Sequence, residues 1–117
     1  MNKEEYLAEK KSIEERLAKE RIELDKRFNR EKIELDKRFS ASYNPVKIGD
    51  TVTDHYKSIV VEKFILAYDY DGLPTLSFRG MRVTKDGKPV KRNADDNRVF
   101  LPTVKFINGN PYKYQFE

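Results

Sequence analysis

For its first 40 residues the chain contains neither glycine nor proline; all five of each lie after Ser40, from Pro45 to Pro111. Those two residues are the ones a helix interior disfavours most, so their absence predicts one continuous helix. The segment is dense in charge, with 12 basic and 11 acidic side chains. It also repeats itself. Arg21–Phe28 reads RIELDKRF and Lys32–Phe39 reads KIELDKRF, eleven residues apart. The same offset links Tyr6, Leu17, Phe28 and Phe39, and links Ile13, Leu24 and Leu35. At about 100° per residue these seven positions form one narrow apolar stripe. An eleven-residue period corresponds to 3.67 residues per turn, so the stripe stays nearly straight or coils slightly right-handed. Glu15–Lys19, Glu23–Arg27 and Glu34–Arg38 stand in the favourable i,i+4 order, each worth about 0.3–0.5 kcal/mol.

So polar a helix is marginal alone, and a narrow apolar seam needs a partner. At 1.5 Å per residue it runs about 50 Å, more than a domain of some 70 residues can cover. The expected partner is another copy of the chain, through Tyr6, Ile13, Leu17, Leu24, Phe28, Leu35 and Phe39. Ile22 and Ile33 lie almost opposite the seam and offer a second contact surface.

The composition changes at Ser40–Pro45. Asn44 precedes proline, which drives it out of the helical region. Eleven of the fourteen aromatic residues follow residue 40. The division is therefore residues 1–40, a charged amphipathic helix, and 46–117, a small β domain. In the second part Val46, Ile48 and Val52 alternate around Gly49-Asp50. Ile59–Tyr68 has the β-branched and aromatic content of a central strand, ended by Asp71-Gly72 and Pro74. Leu76 and Phe78 alternate, then Met81 and Val83 fall on the other parity, which predicts a β-bulge at Gly80. Asp86-Gly87 marks a hairpin. Asn93–Asn97 reads as a polar loop. Arg98–Leu101 and Val104–Ile107 read as short strands split by Pro102, and Tyr112, Tyr114 and Phe116 as one face of a final strand. The fold class expected is α+β, a long oligomerising helix followed by a small SH3-like barrel, with an OB-like barrel as the alternative.

Composition excludes several chemistries. With no cysteine and one histidine, a thiolate site, a disulfide framework and a multi-histidine metal cluster are all ruled out. Nucleophile-elbow and phosphate-loop motifs are missing. Asp54-His55 would point to opposite faces of a strand and so make no dyad. Asp69-Tyr70-Asp71-Gly72 opens like a calcium loop, but its twelfth position is Gly80. The expectation is a protein that is no enzyme and holds no metal or cofactor. No stretch is apolar enough to span a bilayer, so a soluble, cytoplasmic protein is expected.

The net charge of +4 is unevenly placed. The first 40 residues are nearly balanced, while Thr84–Arg92 (TKDGKPVKR) sets Lys85, Lys88, Lys91 and Arg92 against one acid, Asp86. Arg79 and Arg82 precede it; a bulge at Gly80 would turn both to one solvated face. Tyr68 and Tyr70 are the expected aromatic partners. Arginine for phosphate and tyrosine for base stacking is the chemistry of nucleotide and single-stranded nucleic-acid recognition. A lysine-rich edge that only blocks aggregation would look similar.

Val46–Phe64 (VKIGDTVTDHYKSIVVEKF) and Phe78–Arg92 (FRGMRVTKDGKPVKR) resemble small uncharacterised proteins of Bacteroidetes and their phages. The resemblance covers most of the β part and none of the helix. It implies a phage or mobile-element setting, and carries over no catalytic residue. In that setting three roles are open. They are an oligomeric binder of nucleic acid or a nucleotide, an assembly protein working through its helix, and an inhibitor that binds a host defence protein or sequesters its nucleotide signal.

Overall fold

The computed structural model describes residues 1–90 and 97–116. They divide into two compact units, Met1–Leu35 and Asp36–Glu117. One helix, α1, runs Lys3–Tyr43 and contributes to both. Its start is set by Asn2, whose side-chain oxygen accepts the Glu5 amide at 2.8 Å, an N-cap that satisfies one orphan donor. Glu4 and Glu5 add negative charge where the helix dipole favours it. Its end precedes Pro45, and Asn44 caps the exit by accepting the Val46 amide at 2.9 Å.

In the first unit the helix stands without cover: Tyr6, Ile13, Leu17, Leu24, Phe28 and Leu35 are all between 42% and 56% exposed. Phe39 differs. It belongs to the second unit, where it stacks on Phe116 at 5.8 Å and meets Tyr43 edge-on at 5.4 Å. It therefore serves the packing of its own chain, although the repeat placed it with the seam. The compact second unit begins at Asp36, before the expected boundary at Ser40–Pro45, because the last helical turns supply Ser40, buried, and Tyr43 to its packing.

The second unit contains an antiparallel sheet of six strands: β1 (Thr51–Thr53), β2 (Ser58–Tyr68), β3 (Pro74–Val83), β4 (Arg98–Phe100), β5 (Phe106–Ile107) and β6 (Asn110–Pro111). Their spatial order is β4-β3-β2-β1-β5-β6. The class is thus α+β, as the sequence indicates. The ladder ends at β4 and β6 with no pairing between them among the described residues, so the sheet is open and not a closed barrel. β2 and β3 dominate it, paired from Ser58–Val83 to Tyr68–Pro74. Inside lie Val52, Ile59, Val61, Leu76, Phe78, Val99, Leu101 and Val104, with Val46 and Tyr114 closing the core.

Four local expectations change. The register shift falls between Val61 and Lys63, so the extra residue is Glu62 on β2, and β3 runs unbroken past Gly80. Gly80 is the residue facing that bulge: a Cβ there would sit 1.8 Å from the Val60 carbonyl oxygen, so only glycine lets the strands close. Met81, expected inside, is 46% exposed and stands opposite Val60. The last strand stops at Pro111, which has no amide to extend a ladder; Tyr112, Tyr114 and Phe116 pack as irregular chain. Val46–Ile48 forms no strand either, and Ile48 is exposed. Asn108 and Gly109 both take positive φ, 51° and 81°, the two-residue turn that joins β5 to β6. Pro102 sits in a short 3-10 turn, Leu101–Thr103. Among the described residues no helix is long and apolar enough to cross a membrane.

Candidate anion-binding cleft

The unbroken register of β3 separates the two arginines that the sequence placed together. Three positions apart on a regular strand, they fall on alternate faces. Arg82 stands opposite Ile59. Arg79 stands between Lys63 on β2 and Arg98 on β4. That makes a row of three cations on neighbouring strands, and like charges directly opposite each other destabilise a sheet. The Arg79 Nε is buried with no hydrogen-bond partner among the described residues.

Arg82 opens instead into a cleft of about 430 Å³ at the β1–β2 turn. Lys57, Arg82 and Lys85 line it as cations, with Asp54, His55 and Tyr56 on the turn. Asp54 is the one carboxylate of the lining, and it is engaged: its Oδ1 accepts the amides of Tyr56 and Lys57, each at 2.8 Å. That turn holds the aromatic pair in place and leaves the acid oriented on its own backbone. Thr53 and Ser58 hydroxyls meet at 2.8 Å across the base of the turn. Tyr56 is 86% exposed, and its ring lies 6.3 Å from that of His55. A ligand with negative charge and a flat ring meets both requirements here, cations for the charge and an uncovered aromatic face for stacking.

The Asp86-Gly87 turn forms as expected. Thr84 and Lys88 close it through a backbone hydrogen bond of 2.8 Å, and Gly87 takes φ 80°. It carries Lys85 to the cleft, and a second hollow of about 600 Å³ shares Lys85 and reaches the Asn108-Gly109 turn. Lys88 is exposed on the turn. Lys91 and Arg92, like most of the loop at 93–97, lie outside the described residues.

Tyr68 and Tyr70 are not at this site. They occupy the other end of the β2–β3 ladder, roughly 30 Å away along the strands at about 3.3 Å per residue. There the Tyr68 hydroxyl donates to Asp36 at 2.6 Å, which pushes its pKa up, and Tyr70 meets Phe100 edge-on at 6.2 Å. Asp69, the first residue of the calcium-like DYDG, is occupied by its own turn. Its Oδ1 accepts the amides of Asp71 and Leu73, each at 2.9 Å, and its Oδ2 accepts the Tyr114 hydroxyl at 2.8 Å. Burial raises the Asp69 pKa, but these hydrogen bonds together outweigh it and the net direction is down. Among the described residues no three acidic or histidine side chains gather as a metal site.

Sequence reasoning thus missed Tyr56, His55 and Lys57. The signal was present in Asp54-His55-Tyr56-Lys57, where only Asp54-His55 was weighed, as strand neighbours that make no dyad, and the Asp-closed turn was not read. Comparison of the chain with protein-family models, with curated proteins and with solved structures finds no match.

Proposed function

We propose that this is a cytoplasmic, non-enzymatic binding protein that self-associates through α1 and captures an anionic ligand, a nucleotide or a single strand of nucleic acid, in the cleft of Lys57, Arg82 and Lys85. The observation that carries the reading is the cleft's composition: three cations beside an exposed Tyr56, with the lone acid held by backbone amides. The row of Lys63, Arg79 and Arg98 lies on the other face of the sheet and is no part of the cleft. A phage or mobile-element origin rests on the resemblance of the β part alone. We take the open, bulged sheet with short outer strands as a relative of the SH3-like barrel, a surface that suits extended or flat ligands.

The test is fluorescence anisotropy with a labelled single-stranded oligonucleotide and, separately, thermal shift with ATP. Oligonucleotide affinity should fall steeply with salt, about one power of salt concentration for each phosphate contacted. Arg82→Ala and Tyr56→Ala should each weaken it about tenfold, on the scale of one charge or one stacked base. A large thermal shift with ATP and no retention of polymer would assign the cleft to a nucleotide. Indifference to both probes and to Arg82→Ala would sink the reading.

A further inference from the structure

We propose that the exposed seam of α1 pairs with a second copy of this chain in parallel and in register. The inference rests on the self-association proposed above and adds its direction, which the charges beside the seam decide. An eleven-residue repeat advances about 98° per residue. On that lattice the rows flanking the seam are uniform in sign. Glu9, Glu20 and Glu31 run along one edge, and Lys10, Arg21 and Lys32 along the other. One position further out the signs invert: Arg16 and Arg27 lie behind the acidic row, Glu14 and Asp25 behind the basic row. All ten side chains are exposed in the helix.

In a parallel pair each helix sets its left edge against its partner's right edge. In register, residues of nearly equal height then face each other. Glu9 meets the partner's Lys10, Arg16 its Glu14, Glu20 its Arg21, Arg27 its Asp25 and Glu31 its Lys32. Every one of the five is a pair of opposite sign, and symmetry repeats them on the other edge. An antiparallel pair sets like edges together. The register that stacks the apolar layers, Tyr6 on Leu35, Ile13 on Phe28 and Leu17 on Leu24, brings Glu20 to Glu20 and Arg21 to Arg21. It also brings Glu9 to Glu31, Arg16 to Arg27 and Lys10 to Lys32, all of like sign. Sliding an antiparallel pair by eleven residues restores the same conflict. Sliding a parallel pair by eleven keeps the signs but uncovers three turns of seam on each helix and leaves an open, non-closing contact. In register, all six exposed apolar layers are covered.

The chain has no cysteine, so with a single introduced one any protein–protein disulfide joins two copies. Full-length Tyr6→Cys and Leu35→Cys are each incubated in a glutathione redox buffer, alone and as an equal mixture, with sedimentation equilibrium alongside. The parallel pair predicts a disulfide-linked dimer from each variant alone, since a disulfide needs Cα atoms within about 7 Å. Linkage only in the mixture would establish the antiparallel pair, overturning the direction while leaving self-association intact. A monomer in sedimentation with no link in any sample would overturn both. An associated species with no link would remove the helix from the interface. Anion binding is read separately, so none of these results bears on the cleft. As a second arm, Glu20→Lys should raise the dissociation constant about tenfold, and adding Arg21→Glu should restore it. No rescue by the double variant would contradict the edge pairing.

Discussion

Gly80 shows how one residue lets two strands close on each other. Its missing side chain lets the Val60 carbonyl approach, and the bulge at Glu62 sits across from it. Gly80→Ala should destabilise the β unit by about 2–3 kcal/mol, the scale of an overpacked core, and a urea midpoint would show it. Tyr114 acts through its hydroxyl, which meets Tyr43 and donates to Asp69. Burial first, and then its hydrogen bonds with Tyr43 and Asp69, push its pKa well above 10.0 and favour the neutral hydroxyl. A folded pKa raised above the unfolded one contributes stability that is complete below pH 10 and is lost as pH rises beyond it. Asp69 has the opposite sign. Its lowered folded pKa contributes stability above its ordinary 3.8, lost as pH falls through the folded value. Melting temperature should therefore drop at both extremes. Tyr114→Phe should flatten the alkaline limb, and an unchanged alkaline limb in that variant would contradict the assignment.

At the scale of elements, the helix was the most legible part. Forty residues without a breaker and an eleven-residue echo allow few other structures, and Lys3–Tyr43 is one helix. What the repeat concealed is that its last member has a different task. Phe39 continues the spacing of Phe28, yet only tertiary packing reveals Tyr43 and Phe116 beside it. Phe28→Glu should abolish association and leave the melting temperature of the β unit unchanged. Phe39→Glu should destabilise the β unit by about 1–3 kcal/mol, from lost burial and ring contacts. Circular dichroism with sedimentation separates the two. The strands were legible where turn chemistry was explicit, at Asp71-Gly72, Asp86-Gly87 and Asn108-Gly109. They were not where partner identity mattered. A parity switch around Gly80 reads the same whether the extra residue lies on β3 or across from it on β2. Only the pairing of Lys63 with Arg79 decides, and that choice separates Arg79 from Arg82.

For the whole molecule, placement matters more than net charge. The Thr84–Arg92 run was legible as basic, and its turn carries Lys85 to the cleft. Its aromatic complement was not legible, because closeness in the ladder differs from closeness in sequence. Tyr56 lies 29 residues before Lys85 and shares the cleft with it, while Tyr68 and Tyr70, nearer in sequence, sit at the far end of β2 and β3. Parallel pairing of α1 would give the assembly more than one cleft, so a polyanion long enough to reach two should bind more tightly than a short one. Capture of an anion by the cleft, as proposed, differs in its salt and charge dependence from attraction by diffuse positive charge. A salt titration of oligonucleotide affinity on Arg82→Ala and on Lys88→Ala, two variants of equal charge, tests it most directly. Arg82→Ala should lose about tenfold while Lys88→Ala, on the exposed turn, loses much less. Equal losses from both variants would contradict it.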